Sequence, residues 1–298
     1  MIHSTLKLTD TIFDAAEQFF EGKSTQRSLA NSLALVFLAS LIVIEFSRQG
    51  WLFEPLASLI PKNHFYAVGL AFTLLLIIEV LSLVFTLAHS TSDSLGKQFE
   101  ILSIILLRQS FKEFVNFEEP IRWATIGEKI YPVLSDAFGG VIIFLIVGLF
   151  YRAQRYIPIT KDAQFLTKFY STKKLLALAL LFIFTSIGIY DLVRMVQGVS
   201  DTYFFETFFT ILIFSDILII FISLRYSADY QRVFRNSGYA LTTVIIRLAL
   251  TAPPFVNITL GIGAALFALG LTAAYNLFSK EKEDRILNAS SLSSEKAS

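Results

Sequence analysis

The chain has 298 residues, 54% of them hydrophobic and 16% charged, with a mean hydropathy of +0.62. A soluble domain carries about 25% charged residues, and the apolar residues here are bunched into runs near the roughly 17–25 that cross a bilayer as a helix, so the chain reads as a polytopic membrane protein. A net charge of +1 gives no field for nucleic acid, and the absence of cysteine excludes disulfides, thiol catalysis and thiolate metal sites.

The N-terminal stretch shows no charged–apolar–small signal pattern, so no cleaved leader is expected. Residues 6–21 carry Ile12, Phe13, Ala16, Phe19 and Phe20 at helical spacing, with Asp10, Asp14, Glu17 and Glu21 on the other face. They predict an amphipathic helix within a cytoplasmic segment 1–27. An acidic face gains nothing from anionic lipid, and packing on the protein's own cytoplasmic side is the other option.

Eight spans are predicted after it: 29–47, 66–88, 98–115, 137–151, 175–193, 207–225, 236–252 and 258–278. The third holds Glu100, Arg108, Lys112 and Glu113, and an interfacial position is its alternative. With the N-terminus inside, most Lys and Arg fall in cytoplasmic segments, as short basic loops require. Both termini are then cytoplasmic, in the inner (plasma) membrane. The basic stretch 152–174 is the strongest anchor and divides the chain into halves, 28–151 and 175–279. The Ser-rich tail 280–298 reads as disordered.

The halves resemble each other in order. "LIVIEFSRQG" (41–50) aligns with "SIGIYDLVRM" (186–195), placing Glu45 and Arg48 beside Asp191 and Arg194. Glu79 then matches Asp216, Arg108 matches Arg247, and Gly139 and Gly148 match Gly261 and Gly270 at one offset. Four spans per repeat is an even number, so the two repeats run parallel about an axis along the membrane normal. The fold class expected is all-α, a membrane bundle of about eight helices in two four-helix repeats. Between spans three and four the first half alone has a long insert, 116–136, whose Trp123 and Tyr131 suit an outer interfacial segment.

Ionisable groups at mid-bilayer are normally paired. Glu79 lies about 14 Å from the cytoplasmic end of its span and Arg108 about 15 Å from the same side, at 1.5 Å per residue. The same count places Asp216 level with Arg247, so each acid meets an arginine fork on the next helix. One acid matched by one base leaves no spare charge for a solute, which favours a structural clamp over a conduction path. Glu45/Arg48 and Asp191/Arg194, spaced by three, share a helix face at the outer interface and read as anchors.

This arrangement resembles the PsiE family of phosphate-starvation-inducible membrane proteins, whose unit is a four-span bundle. The second half carries the likeness in "FSDILIIFISLRYS" (214–227), "FRNSGYALTTVIIRLAL" (234–250) and "LGIGAALFALGLTAAYNLF" (260–278), and the first half through Glu79, "QFEILSIILLRQSF" (98–111) and "FGGVIIFLIVGLF" (138–150). The chain looks like two such units fused. The resemblance implies a non-enzymatic membrane protein with a stress-related or scaffolding role. The alternative is an ion or small-solute channel or transporter with its path between the repeats.

Other chemistry finds little support. His3, His64 and His89 lack ligand spacing, so no metal is expected. "GIG" (261–263) lacks the strand and turn of a nucleotide loop, and no cofactor is expected. Arg232, Arg235 and Arg247 leave only one deep charge, too few for a voltage sensor. "NIT" (257–259) and "NAS" (288–290) match the glycosylation pattern. Small residues at Gly261/Ala265 and Ala264/Ala268 permit close helix packing. The partners left open are the lipid bilayer itself, a second copy, or another membrane protein.

Overall fold

A computed structural model describes residues 2–53, 57, 60–89, 91–154, 163–196, 204–224 and 230–295, and its described residues form helices and turns without a strand. The helices are α1 (Ile2–Glu21), α2 (Lys23–Arg48), α3 (Phe65–Thr86), α4 (Thr91–Lys112), a short α5 (Trp123–Ile126), α6 (Ile130–Ala153), α7 (Ala163–Val196), α8 (Phe204–Leu224), α9 (Tyr230–Thr251) and α10 (Val256–Glu295).

Among the described residues six stretches are long and apolar enough to cross a bilayer: Lys23–Arg48, Phe65–Thr86, Trp123–Ala153, Thr167–Asp191, Phe204–Ile222 and Val256–Phe278. α4 and α9 are not among them. Each has 22 residues, enough for about 33 Å of helix, but each carries too many charges for a lipid-facing helix. The fold covers their polar sides instead. Gln98 and Ser103 of α4 and Arg235, Asn236, Thr242, Thr243 and Arg247 of α9 are all buried. α2 shows the opposite case. Only Ile44 and Ser47 are buried along it, while Leu35, Leu38 and Ile42 point outward, as suits an apolar helix on the rim of a bundle.

Neighbouring helices alternate in direction. α3 and α4 are antiparallel, with Val115 just beyond α4 beside Gly69 and with Phe72 stacked on Phe111 at 5.2 Å. α4 and α6 meet through Gly96 against Tyr151 and Gly140 against Ser103. α7 meets α8 through Phe184 and Phe208, with ring centroids 3.8 Å apart. α9 meets α10 through the Tyr239–Thr272 hydrogen bond of 2.8 Å. α6 and α10 are parallel: Asp136 touches Asn257, Gly139 faces Ile258, Ile143 faces Gly261, and Asn276 donates to the Ala153 carbonyl at 2.7 Å.

Among the described residues two large apolar cores result, beside a small third cluster of Phe117, Ile126 and Val133, and neither large core coincides with a half of the sequence. One gathers Phe13, Val80, Leu83, Val84, Phe85, Leu180, Phe184, Phe208 and Leu212 from α1, α3, α7 and α8. The other gathers Leu95, Phe99, Leu102, Leu106, Ile143, Val147, Tyr239, Ile246, Ala264 and Ala268 from α4, α6, α9 and α10. The expectation of two self-contained four-helix bundles, 28–151 and 175–279, gives way to two mixed layers. The reason is the polarity of α4 and α9, which drives both away from lipid and against each other.

Several boundaries move. The linker expected over 152–174 is helical from Ala163, because α7 extends the fifth span at its N-terminal end; its residues 155–162 lie outside the described residues, as does 225–229 at the exit of the sixth span. The fourth span begins at Ile130, so the insert 116–136 shrinks to a turn of 3-10 helix at Glu113–Asn116, an extended stretch, α5 and a second 3-10 turn at Gly127–Lys129. The tail expected to be disordered continues α10 as helix to Glu295, since no Pro or Gly interrupts it. α1 takes the second of its two options. Phe13 is wholly buried against the bundle, Asp14 pairs with Lys174 at 2.6 Å, Asp10 accepts from Ser171 at 2.9 Å, and Glu17 meets His89 at 2.8 Å.

Candidate functional site

Glu79 sits on α3 in a run of leucines, and Arg108 of α4 contacts its carboxylate. The pair is peripheral: the Arg108 side chain is 38% accessible and that of Glu79 13%. Asp216 of α8 and Arg247 of α9 are deeper. Arg247 Nε lies 3.5 Å from Asp216 Oδ2, with side chains 0% and 4% accessible. The two pairs are therefore not equivalent, because the mixed layering buries the face of α9 that carries Arg247 and leaves the α3–α4 contact more open.

The buried pair belongs to a larger polar cluster on the seam between the halves. Arg247 Nη2 donates to Gln98 Oε1 of α4 at 3.1 Å, and Gln98 Nε2 donates to Ser94 Oγ at 3.1 Å. Lys173 of α7, 2% exposed, donates to the backbone carbonyl of His89 and lies within electrostatic reach of Asp216. Asp216 Oδ2 and Arg247 Nε and Nη1 are buried without a hydrogen-bond partner. The cluster thus holds two cationic side chains for one carboxylate. The one-to-one match expected from sequence does not describe it, because Lys173 was counted in the basic stretch 152–174 and α7 draws it into the bundle.

Beyond this cluster, toward the C-terminal end of α9, a cavity of about 240 Å³ opens between α3, α4, α8, α9 and α10. Gln109, Lys112, Glu206, Thr251 and Asn257 supply its polar lining and Phe209 and Leu250 its apolar wall. Arg247 is four residues, about 6 Å of helix, below Thr251. A small hollow lined by Glu79, Arg108, Gln109 and Lys112 adjoins the same cavity through Gln109 and Lys112, so the Glu79–Arg108 pair borders it, while Asp216 and Arg247 lie outside its lining.

Asn257, within the sequon pattern at 257–259, is 4% exposed and donates to Asp136 Oδ1 at 2.9 Å. It is bonded in the interior and closed to glycosylation. Asp136 is itself 0% exposed, and its Oδ2 has no partner. Asp136, Gln98 and Lys173 are the residues that sequence reasoning passed over, and Asn257 was read only as a glycosylation site. The signal for Asp136 was its position one turn before Gly139 and Gly140, where α6 comes close to its neighbours.

The outer charge pairs are rearranged. Glu45 bonds the Gln49 amide at 2.6 Å and His64 Nε2 at 3.3 Å, while Arg48 reaches Glu119 at 3.6 Å. Glu119 also takes His64 Nδ1 at 3.0 Å, so His64 ties the end of α2 to the segment before α5. Asp191 and Arg194 form no ion pair with each other; Arg194 lies over the Tyr190 ring at 5.8 Å. Spacing of three puts residues on one face, but a long-range partner at the right distance wins over a neighbour screened by solvent. No group of His, Asp and Glu among the described residues has metal-site geometry. No family model, curated protein or solved structure matches the chain.

Proposed function

We propose that the chain is a non-enzymatic membrane protein of eight crossings, made of two PsiE-like units in parallel, with a path for a small solute along the seam between them. The observation that carries this reading is Lys173, the second cation beside the buried Asp216–Arg247 pair. A clamp is best served by matched charges, and an uncompensated charge in a dry interior is costly. An unmatched charge is what a solute site needs. The cavity at Thr251, toward the C-terminal end of α9, supplies an approach. The parallel contact of α6 with α10 supports the duplication, since Gly139 and Gly261 lie in that contact as well as matching in sequence. The alternation of helix directions supports eight crossings, which leaves both termini on one side, and the Lys and Arg of the short segments on that side make it the cytoplasmic face of an inner (plasma) membrane.

A second reading, a scaffold with a stress-related role, has its own support in Glu79 and Arg108, a one-to-one pair at the flank. Ion flux in proteoliposomes separates the two. On the path reading the wild-type chain conducts, Asp216→Asn changes which ions pass, and Glu79→Gln leaves selectivity as it was. A wild-type chain that conducts nothing ends the path reading and leaves the scaffold.

A further inference from the structure

The cavity toward the C-terminal end of α9 carries charges of both signs on its walls. We propose that it binds a small zwitterion of the amino-acid type, with its carboxylate toward Lys112, its ammonium toward Glu206 and an aliphatic side chain against the apolar wall. Binding stands on the cavity alone; that the bound solute then moves along the seam rests on the path reading.

Helix ends build the site. Lys112 closes α4, Glu206 lies in the first turn of α8, Thr251 ends α9 and Asn257 opens α10. All four line the one cavity of about 240 Å³. At about 30 Å³ for each water-sized group, that is room for a solute of about eight non-hydrogen atoms. The cavity and the hollow beside it are lined by two bases and two acids. Glu79 and Arg108 contact each other, which accounts for one of each. Lys112 and Glu206 remain, on different helices of the same cavity. Among the described residues neither side chain forms an ion pair or a hydrogen bond. Two further acids stand outside the lining: Glu113 is held by the Asn116 amide at 3.0 Å, and Asp136 is closed in at 0% exposure on Asn257.

A simple anion in this space meets Glu206, and a simple cation meets Lys112. A molecule that carries both charges gives each wall a charge-assisted hydrogen bond. Its ammonium brings three donors and its carboxylate only acceptors, which matches Glu206 and Lys112 in turn. Neutral groups complete the polar side. The Gln109 amide is uncommitted among the described residues, and the Thr251 hydroxyl, which donates to the Leu248 carbonyl, keeps its acceptor capacity. Leu76, Phe205, Phe209 and Leu250 form the apolar wall. A concave site that is largely apolar, with a few convergent polar groups, is the usual make-up of a small-molecule pocket. Lys112 and Glu206 also each suit the dipole of their own helix end, so stability does not separate a site from a pair of caps, whereas ligand selectivity does.

The test is binding of tritiated valine to the full-length protein in lipid nanodiscs, read by scintillation proximity. The competitors are alanine, isobutylamine and isovalerate; the last two keep the valine side chain and lose one charge each. The wild type binds valine saturably, alanine displaces it, and each single-charge analogue competes at least about tenfold more weakly, the scale of one charged hydrogen bond. Glu206→Gln weakens valine by about tenfold or more and leaves isovalerate as in the wild type; Lys112→Met weakens valine as much and leaves isobutylamine as it was. Lys112→Arg retains valine binding, and so does Glu118→Gln, which alters an exposed acid outside the cavity. The retained analogue shows in each case that the variant is folded. No saturable valine binding in the wild type, analogues that equal valine, or loss of valine and both analogues together in the two variants overturns the inference. Valine binding in a chain that passes neither valine nor ions in proteoliposomes keeps the site and ends the path reading. Ion flux without valine binding does the reverse.

Discussion

Gly140 and Gly148 lie two turns apart on α6, and the structure assigns them opposite responses to the same substitution. A Cβ built on Gly140 falls 2.8 Å from the Ser103 carbonyl oxygen and 3.1 Å from the Leu107 nitrogen, both backbone atoms of α4. Carbon–oxygen contacts of this kind settle at about 3.3–3.6 Å, so α4 must retreat by about 0.5–0.8 Å. Backbone cannot rotate away as a side chain can, and overpacking of this sort costs about 1–3 kcal/mol. A Cβ on Gly148 meets nothing within 4 Å. Replacing a helical Gly by Ala is worth up to about 1 kcal/mol in soluble helices, and that gain is common to both sites. The difference between Gly140→Ala and Gly148→Ala isolates the strain and is expected at about 1–3 kcal/mol. Unfolding by SDS titration from mixed micelles, read on the full chain, measures it. If Gly140→Ala proves as stable as Gly148→Ala, α4 and α6 do not approach as closely as described, and the packing of the second core is wrong.

Three further expectations follow from contacts. Exchanging the charges at Glu79 and Arg108 preserves an attractive pair, so Glu79→Arg/Arg108→Glu should be more stable than either single variant by a coupling of about 0.5–3 kcal/mol; a cycle with no coupling refutes the pairing. Asn257→Leu strips Asp136 of its donor, which should destabilise the fold by about 1.5–3 kcal/mol, while Thr259→Ala, which removes the sequon, should leave the mobility of chain expressed in a glycosylating host unaltered. The chain has no cysteine, so single thiols report sidedness without background: an impermeant maleimide should label Thr125→Cys on intact cells and Lys97→Cys only after permeabilisation, and the reverse pattern inverts the topology.

Much of the architecture was legible in the chain because lipid imposes a simple rule. A backbone in hydrocarbon must satisfy its own hydrogen bonds, so long apolar runs become helices, and six of them meet that description. The contacts of Glu79 with Arg108 and of Asp216 with Arg247 were also readable, because the rise per residue fixes depth and depth limits the partners available. The outer pairs Glu45/Arg48 and Asp191/Arg194 were not. Spacing of three defines a face but says nothing of what approaches it, and Glu119, distant in sequence, draws both Arg48 and His64.

Sequence by itself therefore determined that this is a helical membrane protein and which charges on neighbouring helices come within reach of each other, since both depend on local composition and on a fixed pitch. Only the tertiary structure decided which charges share a space. Lys173 reads as one more basic residue on a cytoplasmic stretch until α7 is packed beside α3 and α8, and Asp136 reads as the end of a loop until α10 brings Asn257 to it. The physical reason is that pitch orders groups along an axis, whereas charge balance depends on the sideways arrangement of helices, which is set by long-range packing of side chains from every part of the chain.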